Sequence, residues 1–98
     1  MNEPMIIHIE FLGLSRLATG ERDIELPVDD SITFRQIVHL LGKRYPALLQ
    51  DVIQADGKAL HEPNIFNVNS QRMIREHEMD SSPRHGDHII LMSISAGG

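Results

Sequence analysis

One stretch of this 98-residue sequence can be read almost residue by residue. Thr33-Phe34-Arg35-Gln36 has the form of a capping box, in which the Thr33 hydroxyl accepts from the Gln36 backbone and the Gln36 side chain reaches back. Ile32 and Ile37 are spaced as a hydrophobic staple. Phe34, Ile37, Val38, Leu41 and Tyr45 then recur at helical spacing and make one apolar stripe. Gly42 weakens this helix and Tyr45-Pro46 ends it. Pro46 is placed to open a second short helical turn with Leu48, Leu49, Val52 and Ile53 turned inward. The fold is therefore built around one main helix.

What flanks the helix alternates with a period of two. In Met5–Leu12 the core face is Met5, Ile7, Ile9 and Phe11. Gly13–Glu21 reads as a loop, with Thr19-Gly20 as its turn. Asp23–Val28 is a second strand with Ile24, Leu26 and Val28 inward, and Pro27 assigns it to an edge. Beyond the helix, Asp56-Gly57 is a turn, Ile65–Val68 a third strand, Asn69-Ser70-Gln71 a turn and Arg72–Arg75 a short fourth strand. His77–Gly86 reads as a polar loop. His88–Ile94 is the last strand, with Ile89 and Leu91 toward the core and Ile90, Met92 and Ile94 outward.

A helix bracketed by paired strands predicts an α+β domain, with a sheet of four to five strands and the helix packed across one face. The first and last strands lie side by side near the middle, which leaves the other sheet face partly exposed. The domain is expected over residues 5–96, after a loose N-terminus at 1–4 and before a flexible tail at 97–98. A chain of this length buries roughly 60–65% of its unfolded surface, too modest a core to enclose a large cofactor.

Composition narrows the chemistry. With no cysteine there is no disulfide framework, zinc knuckle or thiol nucleophile. The first apolar run, Met5-Ile6-Ile7, is soon interrupted by His8 and Glu10, so neither a signal peptide nor a transmembrane helix is expected, and the cytoplasm is the expected location. Fourteen acidic residues against nine basic give a net charge of −5, which argues against nucleic acid and for a basic protein partner.

The residues with most chemical promise come last. Ala96-Gly97-Gly98 follows directly on a strand. Glycine has no Cβ, so a Gly-Gly end passes a narrow channel and presents its carboxylate to another protein's nucleotide site. Adenylation there makes a mixed anhydride that a sulfur or nitrogen nucleophile can attack. Leu12, Ile90, Met92 and Ile94 form an outward apolar patch beside that tail. Of the six histidines, His85 and His88 sit across a turn that makes their side chains diverge, while His8 shares a face with His88; no third ligand is evident, so no metal is expected. Glu76, Glu78 and Asp80 read as a solvated acidic loop, and Arg72, Arg75 and Arg84 as surface charge.

The Tyr45-Pro46 step, the Val68-Asn69 turn, Phe11-Leu12-Gly13…Arg16 and the ending Gly86-Asp87-His88-Ile89-Ile90…Ala96-Gly97-Gly98 resemble the MoaD/ThiS family over roughly residues 5–98. The resemblance implies a ubiquitin-like β-grasp with a mixed sheet. It implies that Gly98, approached through Gly97 and Ala96, is adenylated and converted to a thiocarboxylate by a ubiquitin-activating-like adenylating enzyme. ATP and a sulfur donor would be that enzyme's; this chain would bind no cofactor and would not catalyse alone. It implies docking through Leu12, Ile90, Met92 and Ile94, with a molybdopterin synthase large subunit as a second partner. Ser93-Ile94 stands where many relatives carry a proline pair. Two rival readings stay open: a protein modifier conjugated through Gly98, and an interaction module with an inert end.

Overall fold

The computed structural model describes residues 4–94. In chain order it has strand β1 (Met5–Phe11), helix α1 (Leu14–Thr19), strand β2 (Asp23–Val28), helix α2 (Phe34–Arg44), strands β3 (Asn64–Val68) and β4 (Arg72–Met73), and strand β5 (His88–Ser93). Single 3-10 turns at Pro46–Leu48 and Glu76–Glu78 complete it. Of the ends expected to be loose, Pro4 is exposed. Met1, Asn2 and Glu3 lie outside the described residues, as do Ser95, Ala96, Gly97 and Gly98.

The five strands form one mixed sheet in the order β2-β1-β5-β3-β4. β1 and β5 run parallel at its centre, His8 opposite His88 and Phe11 opposite Leu91. The other three pairings are antiparallel. Pro27 sits on β2, an edge strand, where its missing N–H costs least. Helix α2 carries the expected box, with Thr33 Oγ1 accepting from Gln36 N at 3.1 Å and Gln36 Oε1 accepting from Thr33 N at 2.9 Å. Gly42 has a packing reason: a Cβ there would stand 3.2 Å from the Leu49 side chain. The core fills one side of the sheet only. Ile7, Ile9, Phe11, Phe66, Ile89 and Leu91 meet Phe34, Ile37, Val38 and Leu41, all fully buried.

Three segments depart from the sequence reading. Gly13–Glu21 is not simply a loop, since six of its residues form α1. It is too short to show helical periodicity, and its signal is the flanking pair of glycines: Gly20 ends the helix at φ 71°, a conformation costly for any residue with a Cβ. β4 is two residues rather than four. The polar loop hides a turn and a core residue, as Met79 is buried and the 76–81 backbone closes the start of α2. Phe34 N and Arg35 N, which no helix can satisfy internally, donate to Ser81 O and Met79 O at 3.0 and 2.8 Å. Arg35 also pairs with Asp80 and Glu76, and its hydrogen bond to Asp80 raises its pKa. The Arg75 backbone N–H bonded to Glu78 holds that carboxyl below its ordinary value.

The turn from β3 to β4 places Asn69 and Ser70 at φ 56° and 60°. Asparagine occupies this region at less cost than serine. Ser70→Gly is expected to raise the unfolding free energy by about 0.5 kcal/mol, after allowing for glycine's greater freedom in the unfolded chain. Urea denaturation reads this directly, and an unchanged or lower midpoint would contradict it.

Candidate functional site

The centre of interest is β5, whose C-terminal end precedes residues 95–98 in sequence. Two separate locks set the position of that strand. At its start, Asn69 reaches across from the β3–β4 turn. Its Oδ1 accepts from His88 N at 2.9 Å, its Nδ2 donates to Asp87 Oδ1 at 3.1 Å, and its backbone N–H donates to His88 O at 2.7 Å. Asp87 closes its own turn by accepting from Arg84 N at 2.8 Å. The Val68-Asn69 and Gly86-Asp87-His88 motifs are thus two halves of one clasp.

The second lock lies near the far end of β5. Leu12 N donates to Leu91 O at 3.1 Å, continuing the parallel pairing one residue past β1. Ser15, a buried polar side chain in α1, donates its hydroxyl to Leu91 O at 2.8 Å and accepts from Leu12 N at 3.1 Å. Arg16 Nε donates to Phe11 O at 2.8 Å. The Phe11-Leu12-Gly13…Arg16 stretch therefore ties α1 to the strand that carries the tail. The last described tie is Ile94 N to Pro63 O at 2.9 Å.

Alternation puts Ile90, Met92 and Ile94 on the face away from α2, and the continued pairing puts Leu12 beside Met92. Leu12 and Ile94 are 39% and 41% exposed, while Ile90 and Met92 are half-buried. The four proposed docking residues are therefore brought to one end of one face, and none of them belongs to the core cluster. Ala96, Gly97 and Gly98 lie outside the described residues. The register adds residues that the sequence reading left unassigned: Ile65 opposite Met92, Asn67 opposite Ile90, and Met73 opposite Asn67. Alternation within Asn64–Val68 was the available signal, since Phe66 and Val68 are buried between them.

The other end of this face is charged. His88 donates Nε2–H to Glu10 Oε1 at 2.7 Å, Arg16 stands 3.8 Å from Glu10, and His8 stands 3.8 Å from Glu25. The His8 and His88 rings stack 6.4 Å apart. His85 turns elsewhere, accepting from Ile6 N at 3.0 Å. Among the described residues, no group of three or more histidines and carboxylates is arranged to hold a metal ion. Also among them, no helix is long and apolar enough to cross a membrane. The face is thus apolar where Leu12, Met92 and Ile94 gather and charged around Glu10, His8 and His88.

No family model and no curated protein matches the sequence. Solved structures do match its shape. SAMP1 from Haloferax volcanii superposes with a TM-score of 0.76 at 20% identity, covering 95% of this chain and 99% of that one. A protein assigned as molybdopterin converting factor, subunit 1, from Pyrococcus furiosus gives 0.70 at 17% identity, covering 89% and 94%. Urm1 from Trypanosoma brucei gives 0.69 at 21% identity, with both chains covered in full. The chain has the ubiquitin-like β-grasp fold of these structures.

Proposed function

We propose that this chain is a sulfur carrier acting through the carboxyl of Gly98. A carboxylate oxygen attacks the α-phosphorus of ATP in a partner adenylating enzyme, and pyrophosphate leaves. A sulfide equivalent then displaces AMP from the mixed anhydride, leaving a thiocarboxylate. The protein is a substrate of its partners and turns over nothing alone. It binds no cofactor itself, and its place is the cytoplasm. Gly97 and Ala96 supply the slender approach, and Leu12, Ile90, Met92 and Ile94 the docking anchors.

One observation carries this reading. A central strand, locked by Asn69 at one end and by Ser15 near the other, carries apolar residues on a face the core does not use and precedes Ala96-Gly97-Gly98 closely in sequence. Likeness to a molybdopterin converting factor subunit supports delivery of the sulfur to a cofactor precursor on a large synthase subunit. Likeness to small archaeal modifier proteins supports a second reading, in which a lysine amine attacks the same anhydride and an isopeptide forms. Intact-mass measurement after incubation with ATP, a sulfide source and the host's adenylating enzyme separates them. The carrier gains the mass of sulfur for oxygen on the free chain. The modifier appears in conjugates branched at Gly98. An unchanged mass with no conjugate sinks both readings.

A further inference from the structure

Among the described residues, one buried side-chain polar atom has no hydrogen-bond partner, and it lies on the face of the sheet away from α2. Asn67 lies between Ile90 on β5 and Met73 on β4. Its Nδ2 leans on the Met73 sulfur at 3.5 Å, a weak acceptor. Its Oδ1 is shut off from solvent and has no hydrogen-bond partner. An amide carbonyl left like this is costly, and an apolar side chain of similar shape avoids the cost. Toward the Ile94 end its neighbours along and across the strands, Ile65, Ile90 and Met92, are apolar, while Asn69 on the other side is already bonded to His88 and Asp87. An asparagine in their midst needs a reason that the free chain does not supply.

We propose that Asn67 Oδ1 accepts a hydrogen bond from an N–H group that a partner protein brings to this face, and that this bond fixes the register of docking. The inference rests on the carrier reading and specifies how the adenylating enzyme recognises the chain. Its occupant is a protein surface that is apolar at the centre, basic at the rim and provided with one N–H donor within the apolar part.

Three features select that occupant over a second copy. Asp23 and Glu25 are exposed on β2, opposite Glu10 and His8, and give the face an acidic rim. The whole chain carries −5, so two copies repel where a basic partner is attracted. Residues 95–98 reach at most about 14 Å when extended, so whatever receives Gly98 stands close to the Ile94 end of this face. Met73, a flexible thioether against the Asn67 Nδ2, leaves the amide free to turn when a partner brings a donor to Oδ1.

The test uses ATP–pyrophosphate exchange by the host's adenylating enzyme, with the full chain as varied substrate. Asn67→Leu keeps the shape and removes the acceptor. Its KM should rise about tenfold with kcat unchanged, since the lost bond is worth about one factor of ten and the reacting carboxyl is untouched. The thermal midpoint of the free chain should hold or rise. A KM within twofold of wild type overturns the inference, and so does a fall in midpoint, which would mean that Oδ1 is satisfied within the chain. A wild-type chain that supports no exchange overturns the carrier reading and this one together. Exchange supported by wild type, with KM unchanged in Asn67→Leu, overturns this one alone. Sedimentation of wild type as a dimer that Asn67→Leu makes monomeric would assign the face to a second copy and reject the basic partner.

Discussion

A chain lengthened by one tyrosine after Gly98 will gain no sulfur and form no conjugate under conditions where the natural chain is fully converted. The extension turns the Gly98 carboxyl into an amide, which has no carboxylate oxygen to attack ATP. The new terminal carboxylate sits one residue further out, behind an aromatic side chain. Displacement of a reacting group by even about 1 Å costs on the order of a hundredfold in rate. A full residue advances the chain by more than three times that. Activity should fall below detection in the intact-mass assay, while the fold is unaffected because the change lies beyond β5. Gly98→Ala is the milder case, with the carboxylate kept and a Cβ added, and should lose rate without losing docking. Conversion of the tyrosine-extended chain at the natural rate would place the chemistry elsewhere.

Much of the architecture was legible because local and global signals agree. The Thr33–Gln36 box, the apolar stripe and the strand alternation each point to the observed element, and burial then follows from which face meets α2. The outward placing of Ile90, Met92 and Ile94 was legible for the same reason, as Ile89 and Leu91 could only go inward. The rest depends on contacts distant in sequence. Ser15 looks like any loop serine until Leu91 O, 76 residues away, is found bonded to its hydroxyl. Met79 sits among charged residues and is drawn inward by the backbone bonds that close the start of α2. The acceptor left open on Asn67 is invisible in a string of letters, since it requires knowing that Ile90 and Met73 flank it.

The scattered motifs gain a common reason from the same contacts. Asn69 and Asp87 set where β5 begins, and Ser15 and Leu12 hold it at Leu91. A slip of one residue in β5 would turn Ile90 and Met92 into the core and move the tail with them. The clasp and the serine therefore fix which residues of β5 lie on the face away from α2.

Ile90→Asp will leave the domain folded and disable its recognition. Ile90 is half-buried on the free face and lies outside the core cluster, so the substitution opens no core cavity. Its cost to the free chain should be about 1 kcal/mol, seen as a small drop in the urea midpoint. In the docked state the same carboxylate would be buried against an apolar surface with no counter-charge, next to the already acidic Glu10 that pairs with it across the strands. Burying an unpaired charge costs several kcal/mol, so KM for the chain in ATP–pyrophosphate exchange should rise at least about a hundredfold, with kcat at saturation retained. Ala55→Asp, exposed beside α2 on the other side of the sheet, is the matched control and should leave KM unchanged. Equal KM values for Ile90→Asp and the natural chain would mean that partners approach from another side, and the tail alone would have to account for recognition.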